Sequence, residues 1–214
     1  MIIAIDGPSG AGKSTVAKLI SKELGIEYLD TGAMYRAFAY KLYKHNISGT
    51  LDIKNVLEDT EIDYNNNNVY LDGVNVEGSI RTENISILYS QIAKLDYVRE
   101  KIVEMQRNIG KSKDIIVDGR DIGSVVFPEA EFKFYVTANA ETRAKRRYEE
   151  LKAKGQNVVY EEVLKDINER DHNDTTRKNS PLVVAKNAVV VDTSELSIEE
   201  VVDKIIAVVK GEKK

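Results

Sequence analysis

The residues best suited to chemistry stand close to the amino terminus. Residues 7–14 read Gly-Pro-Ser-Gly-Ala-Gly-Lys-Ser and match the phosphate-binding pattern G-x-x-x-x-G-K-[ST]. The glycines let backbone N–H groups converge on phosphate oxygens, Lys13 can reach the β- and γ-phosphates, and the Ser14 hydroxyl can bind Mg²⁺. We expect ATP with Mg²⁺ to bind to Gly7, Pro8, Ser9, Gly10, Ala11, Gly12, Lys13, Ser14 and Thr15.

A second candidate for the metal is Asp118. It ends the apolar run at residues 115–117, which predicts a strand closed by a carboxylate. Such a carboxylate is suited to holding Mg²⁺ through a water molecule. Apolar strands that end in Asp are also common without any ligand, so both interpretations stay open.

Arginines mark a possible acceptor site. Thr31 lies where a predicted strand meets a helix, and it can either cap the helix or present its hydroxyl to a phosphate that Arg36 also reaches. Arg120 and Asp121 follow another predicted strand. In open parallel sheets, ligands bind beyond the carboxyl ends of strands, which favours a binding role for this pair.

Further charges share helix faces. Arg143, Arg146 and Arg147 lie at i, i+3 and i+4, so their like charges repel unless they are solvated or a polyanion compensates them. A second group follows approximate helical spacing and consists of Asp166, Arg170, Asp174 and Arg177. This second group can form a stripe of alternating ion pairs or a binding surface.

Short apolar strands alternate with helical patterns along most of the chain. We predict strands at residues 2–6, 26–29, 114–117, 132–136 and 188–191, and helices at 13–24, 33–44 and 198–209. This alternation is typical of an α/β fold with a parallel sheet covered by helices. Residues 61–99 depart from it, because Asp72-Gly73 between alternating apolar residues predicts an antiparallel β-hairpin.

Composition excludes several classes of protein. The chain of 214 residues has no Cys, so disulfides and thiol catalysis are excluded, and its net charge of −4 disfavours a nucleic-acid surface. It also lacks a signal peptide pattern and an apolar run long enough to span a membrane. We therefore expect a cytoplasmic monomer, folded as one domain over residues 1–214, with a frayed tail at 211–214.

Several motifs together resemble one family. They are residues 5–14, 29–36, 117–123, 169–171 and 177–182. Over residues 3–209 the chain is similar to the bacterial cytidylate kinases, which are nucleoside monophosphate kinases with a phosphate loop. The resemblance implies a five-stranded parallel sheet, an acceptor-binding segment enlarged at about 61–99, and a short lid at about 143–156.

The resemblance also implies roles for individual residues. Thr31, Arg36 and Arg120 would hold the acceptor phosphate, and Ser90, Arg99 and Asp121 would read cytosine. The sugar would lie near Arg170, Asp174 and Arg177. Lys13, Arg120, Arg143 and Arg147 would stabilise the charge of the transferred phosphate, with Arg143, Arg146 and Arg147 in the lid.

The expected activity is transfer of the γ-phosphate of ATP to CMP or dCMP. Two alternatives remain at this point. One is a phosphate-loop kinase for another acceptor, such as shikimate or dephospho-coenzyme A, although the inserted hairpin and Asp121 disfavour it. The other is a nucleotide-dependent switch without turnover, for which the arginines would face a protein partner.

Overall fold

A computed structural model describes residues 1–211 of the chain. Its main feature is a five-stranded parallel sheet, as predicted. The strands are β1 (Ile2–Asp6), β2 (Glu27–Asp30), β6 (Ile115–Gly119), β7 (Phe132–Thr137) and β8 (Val189–Asp192). They lie in the order β2-β6-β1-β7-β8. Of the tail at residues 211–214, which is predicted to be frayed, residues 212–214 lie outside the described residues.

The strand register explains why polar residues gather at one edge of this sheet. In β1 and β7, Ile3 pairs with Phe132 and Asp6 pairs with Tyr135. In β7 and β8, Thr137 pairs with Asp192. The four residues of β1 from Ile3 to Asp6 are buried, so the sheet interior is apolar up to its carboxyl edge. Loops that leave this edge can therefore carry a binding site.

Eight α-helices accompany the strands within residues 1–211. They are α1 (Lys13–Leu24), α2 (Thr31–Lys44), α3 (Thr50–Glu58), α4 (Glu83–Ile92), α5 (Asp96–Ser112), α6 (Ala140–Ala153), α7 (Tyr160–Thr176) and α8 (Ile198–Val209). As predicted, α1 ends at Gly25, which adopts the left-handed conformation. Ser197 and Glu200 form a capping box that starts α8. A single π-helical turn, Ile122–Val126, follows β6 and is called the π turn below.

The predicted hairpin is part of a separate three-stranded antiparallel sheet. Its strands are β3 (Ile62–Asn65), β4 (Asn68–Leu71) and β5 (Val74–Asn75). Asn66 and Asn67 connect the first two strands, and Asp72 and Gly73 connect the second pair; all four residues have positive φ. Paired positive φ values match the twist of antiparallel strands, and Asn, Asp and Gly tolerate them best.

The chain divides into two compact units. The first consists of Met1–Gly25 and the chain from Ile116 onward, and the second of Ile26–Ile115. In the first, Ile5, Ile20 and Phe134 are fully buried; in the second, Phe38 and Leu42 are fully buried. Segment 61–99 lies within the second unit, and its role as an acceptor-binding segment stays a prediction. Within the described residues, no helix has the length and apolarity needed to cross a membrane.

Candidate functional site

The phosphate loop joins β1 to α1 in the first unit. Gly7 cannot be replaced without a clash, because a Cβ there would lie 1.9 Å from the carbonyl oxygen of Val136. Gly12 precedes α1 in the left-handed conformation, and no side chain caps the helix among the described residues. The first N–H groups of α1 thus remain available to an anion, which the helix dipole also favours.

Lys13 is buried at the start of α1. Its Nζ donates a hydrogen bond to the carbonyl oxygen of Pro8 at 2.8 Å. Burial and, to a smaller extent, the charge of Arg120 together lower the pKa of Lys13 to about 7, against the attraction of nearby carboxylates that include Asp118 and Asp6. The surroundings of the buried Lys13 side chain therefore stabilise its charged form only weakly. A bound anion would stabilise that charged form.

Ser14 and Asp118 come together as the sequence suggested. The Ser14 hydroxyl donates to Oδ2 of Asp118 at 2.7 Å. No group of three or more His, Cys, Asp or Glu side chains that could hold a metal occurs in the described part of the chain. Two adjacent oxygen ligands without a full protein cage suit Mg²⁺, which keeps several waters and binds largely through substrate phosphates.

A cavity of about 300 Å³ opens beside the phosphate loop. Apolar side chains of Val16, Leu196, Ile198 and Val201 line it together with polar Thr193. Apolar walls with a few polar groups are typical of a site for a planar ligand. The motifs of the sequence did not predict this cavity. The loop after β8 could have indicated it, because loops that follow parallel strands tend to build binding sites.

The three arginines of α6 have different partners and do not form one solvated face. Arg143 is buried and forms two hydrogen bonds with the Asp171 carboxylate, at 3.0 Å and 2.6 Å. It also donates to the carbonyl oxygens of Ala138 and Ser9. Arg143 therefore ties α6 to α7 and to the phosphate loop, a role that sequence analysis did not foresee.

Arg146 and Arg147 have other partners. Arg146 donates to the hydroxyl of Thr193 at 3.0 Å and to its carbonyl oxygen at 2.6 Å, which fixes the loop that lines the cavity. Arg147 is half-buried and pairs with Glu150 at 2.8 Å. Of the three, Arg147 has the fewest contacts that would hinder a turn toward a ligand. The lid role of residues 143–156 stays a prediction.

Acceptor candidates in the first unit form two ion pairs. Arg120 donates to Asp174 at 2.7 Å, and Arg177 lies 3.6 Å from Asp121. The partners of Asp174 and Arg177 therefore lie in the segment after β6. The alternating ion pairs along α7 that their spacing suggested do not form. Arg170 is exposed and forms no ion pair with any other residue between positions 1 and 211. The structure thus brings four of the five candidates into pairs.

The second unit holds the other acceptor candidates. Asp30, not Thr31, caps α2, because its side chain accepts the N–H of Ala33 at 3.0 Å. The capping role considered for Thr31 is therefore wrong. The Arg36 guanidinium lies 4.8 Å from the ring centre of Tyr89. A Cβ at Gly32 would come within 2.8 Å of it, so glycine leaves space for Arg36 at the start of α2.

The remaining predicted base-reading residues lie on α4 and α5. Ser90 is exposed, and its hydroxyl donates to the carbonyl oxygen of Ile87 at 2.7 Å. Arg99 is half-buried in the first turns of α5. Their contact with a base stays a prediction.

The sequence has close relatives. A family model described as cytidylate kinase matches residues 3–211. The cytidylate kinase of Clostridioides difficile strain 630 is 47% identical over 209 residues, covering 97% of both chains. That of Fervidobacterium nodosum is 50% identical, covering 97% of this chain and 95% of the relative. A solved shikimate kinase from Bacteroides thetaiotaomicron has a TM-score of 0.54 at 12% identity over 98% of each chain, which shows the fold alone. On the strength of the family model and of these relatives, this chain belongs to the cytidylate kinase family.

Proposed function

We propose that this protein transfers the γ-phosphate of ATP to CMP or dCMP, which gives ADP and CDP or dCDP. The observation that carries the proposal is the buried Lys13 in a complete phosphate loop, in a chain that matches cytidylate kinases over nearly its whole length. The loop supports the reaction type, and the family supports the acceptor.

The donor binds to the first unit. Its phosphates lie on residues 7–15, where backbone N–H groups and Lys13 neutralise their charge. The adenine enters the cavity beside the loop, against Leu196 and Ile198. Arg146 keeps this cavity in shape through Thr193.

Ser14 and Asp118 would hold Mg²⁺, with Asp118 suited to binding it through a water molecule. Their oxygens lie 2.7 Å apart and match the ligands this ion prefers. When bound, Mg²⁺ shields the phosphate charges of the donor.

Different residues bind the phosphate, the sugar and the base of the acceptor. Thr31, Arg36 and Arg120 bind the phosphate of CMP, and Arg170, Asp174 and Arg177 bind the sugar, as the resemblance implies. An ionised Asp121 accepts a hydrogen bond from the 4-amino group of cytosine, whereas uracil has a carbonyl oxygen there. Ser90 and Arg99 donate to N3 and the 2-oxygen. This donor and acceptor pattern fits cytosine and opposes uracil.

The chemical step needs no general base. A phosphate oxygen of CMP is already anionic; it forms a bond to the γ-phosphorus while the bond to the oxygen bridging the β- and γ-phosphates breaks, and ADP leaves. Lys13, Arg120 and Arg147 stabilise the transferred charge. Arg143 contributes by holding the carbonyl oxygen of Ser9 in the loop. Alignment of the two substrates supplies much of the acceleration.

We further propose that the enzyme acts in the cytoplasm as a monomer, without a nucleic-acid or membrane partner. The absence of Cys and the net charge of −4 support a reducing compartment and a small anionic substrate held by local cations.

An acceptor panel tests the proposed function. ADP release is measured in a coupled assay with CMP, dCMP, UMP, AMP and shikimate. We expect CMP and dCMP to give the highest kcat/KM. Turnover with shikimate in place of CMP would favour another acceptor, and ATP binding without acceptor-stimulated turnover would favour a switch.

A further inference from the structure

Asp6 is the last residue of β1 and directly precedes the phosphate loop. Only 2% of it is exposed. Its two carboxylate oxygens accept the backbone N–H groups of Ile122 and Gly123, each at 2.7 Å. Oδ2 would lie 3.3 Å from a Cβ at position 123, so a glycine there permits this close approach. One buried carboxylate thus binds a segment more than a hundred residues away in the chain.

The bound segment is the start of the π turn. π-helical geometry is rare and occurs mostly as single turns at functional sites. The turn begins directly after Arg120 and Asp121, and the carbonyl oxygen of Asp121 accepts the N–H of Val126 at 3.1 Å. The first N–H groups of a helical turn have no partner within it, so an outside acceptor is needed. Asp6 supplies that acceptor.

Other ionisable groups surround the buried Asp6 carboxylate. It faces Lys13 of the phosphate loop, Asp121 directly before the π turn and Tyr135 of β7. Burial raises the pKa of Asp6 from 3.8 to about 6, although the two N–H groups oppose this. Because the pKa of Asp6 is higher in the folded state, protonated Asp6 stabilises the fold. This stabilisation is complete below pH 3.8 and is lost as the pH rises through about 6. At neutral pH the ionised carboxylate therefore stabilises the fold less than the protonated acid does.

We propose that Asp6 is a positioning residue that fixes Arg120 and Asp121 through the π turn and joins them to the phosphate loop. The inference rests on the proposed function, because it assumes that Arg120 and Asp121 meet the acceptor. Asp6 itself touches no substrate.

Asp6→Asn tests the proposal, because the amide keeps the size of the side chain but turns one acceptor into a donor that faces an N–H group. We expect kcat/KM for CMP to fall about 10- to 100-fold, the effect of losing one hydrogen bond to a charged group. The ratio of kcat/KM for CMP over UMP should also fall. The melting temperature at pH 7.5 should fall as well, because one buried N–H group loses its acceptor, so the selectivity ratio is the measurement that reports the positioning role. A lower melting temperature with an unchanged ratio would indicate a merely structural role.

Glu131→Gln is the matched control. Glu131 accepts the N–H of Ile2, at the opposite end of β1, and is exposed. This variant also exchanges a carboxylate for an amide at a backbone N–H, so we expect wild-type kinetics and selectivity. If it lowers the CMP over UMP ratio as much as Asp6→Asn does, the proposal is wrong.

Hydrogen exchange separates this proposal from the proposed function. Amide protection at residues 122–126 should fall in Asp6→Asn and persist in Glu131→Gln, whichever acceptor the enzyme uses. Unchanged protection in Asp6→Asn would show that Asp6 does not hold the π turn in place. A wild-type enzyme that is inactive on CMP would contradict only the proposed function. If Asp6→Asn does not fold, Gly123→Ala replaces it. The new Cβ at position 123 would lie 3.3 Å from Oδ2 of Asp6. Gly123→Ala should therefore lower the ratio of kcat/KM for CMP over UMP without a change in charge.

Discussion

Replacing Asp171 with Ala should destabilise the fold through Arg143. The Arg143 guanidinium makes two hydrogen bonds to this carboxylate, and its side chain is only 5% exposed. Without Asp171, a buried cation keeps two carbonyl partners, Ala138 and Ser9, but loses its counter-charge. The fold would then contain an uncompensated buried charge.

The size of the effect follows from the geometry. Breaking a buried ion pair by removing one partner costs about 3–5 kcal/mol. The Asp171 side chain is 25% exposed, so water can reach the site and we expect about 2–3 kcal/mol. For a chain of this size, each kcal/mol shifts the melting temperature by about 2–4 °C, so Asp171→Ala should melt about 4–12 °C lower.

Calorimetry and circular dichroism measure this shift, with Glu150→Gln as the control. Glu150 pairs with Arg147 and Lys154 on the exposed face of α6, where such pairs contribute about 0.2–1 kcal/mol. Arg143→Met should recover part of the stability lost in Asp171→Ala, because it removes the unpaired charge. Equal melting temperatures for Asp171→Ala and Glu150→Gln would refute the reasoning.

Three further predictions concern the reaction. Lys13→Ala should fold normally by circular dichroism but lose about 10²–10³-fold in kcat, because a preorganised charge is removed; near-normal kcat would take Lys13 out of the mechanism. Since burial lowers the pKa of Lys13 to about 7, the ammonium in the empty loop deprotonates above that pH, and ATP binding should take up a proton. ATP affinity should therefore weaken from pH 7 to 9 in the wild type but not in Lys13→Ala, as titration calorimetry in buffers of different ionisation enthalpy can measure. Arg36→Ala should raise the KM for CMP and leave that for ATP unchanged, because a charge-assisted contact to the acceptor is lost; a weaker ATP affinity alone would contradict the assignment.

A matched control for Arg36→Ala is Lys44→Ala, a cation lost from the exposed last turn of the same helix. We expect both of its KM values to remain at the wild-type level. A rise in the KM for CMP in both variants would mean that general charge, not Arg36, attracts the acceptor.

The sequence by itself determined the features that depend on neighbouring residues. The glycines of residues 7–12 gave the phosphate loop, because their φ values include conformations that other residues rarely adopt. Asp72-Gly73 predicted its turn for the same reason, and the apolar strands alternating with helices predicted the parallel sheet. These features follow from local backbone sterics and from hydrophobic periodicity, which are both readable along the chain.

Only the tertiary structure decided which charges meet. Arg143 pairs with Asp171 across 28 positions, Arg120 with Asp174 across 54, and Asp6 reaches Ile122 across 116. Spacing on α7 suggested ion pairs along that helix, but Asp174 pairs with Arg120, which lies far from it in the sequence. A long polar side chain bonds to whatever the fold brings within about 3 Å, and burial then sets the strength of that bond. Local sequence cannot fix either quantity, because both depend on how distant segments of the chain pack.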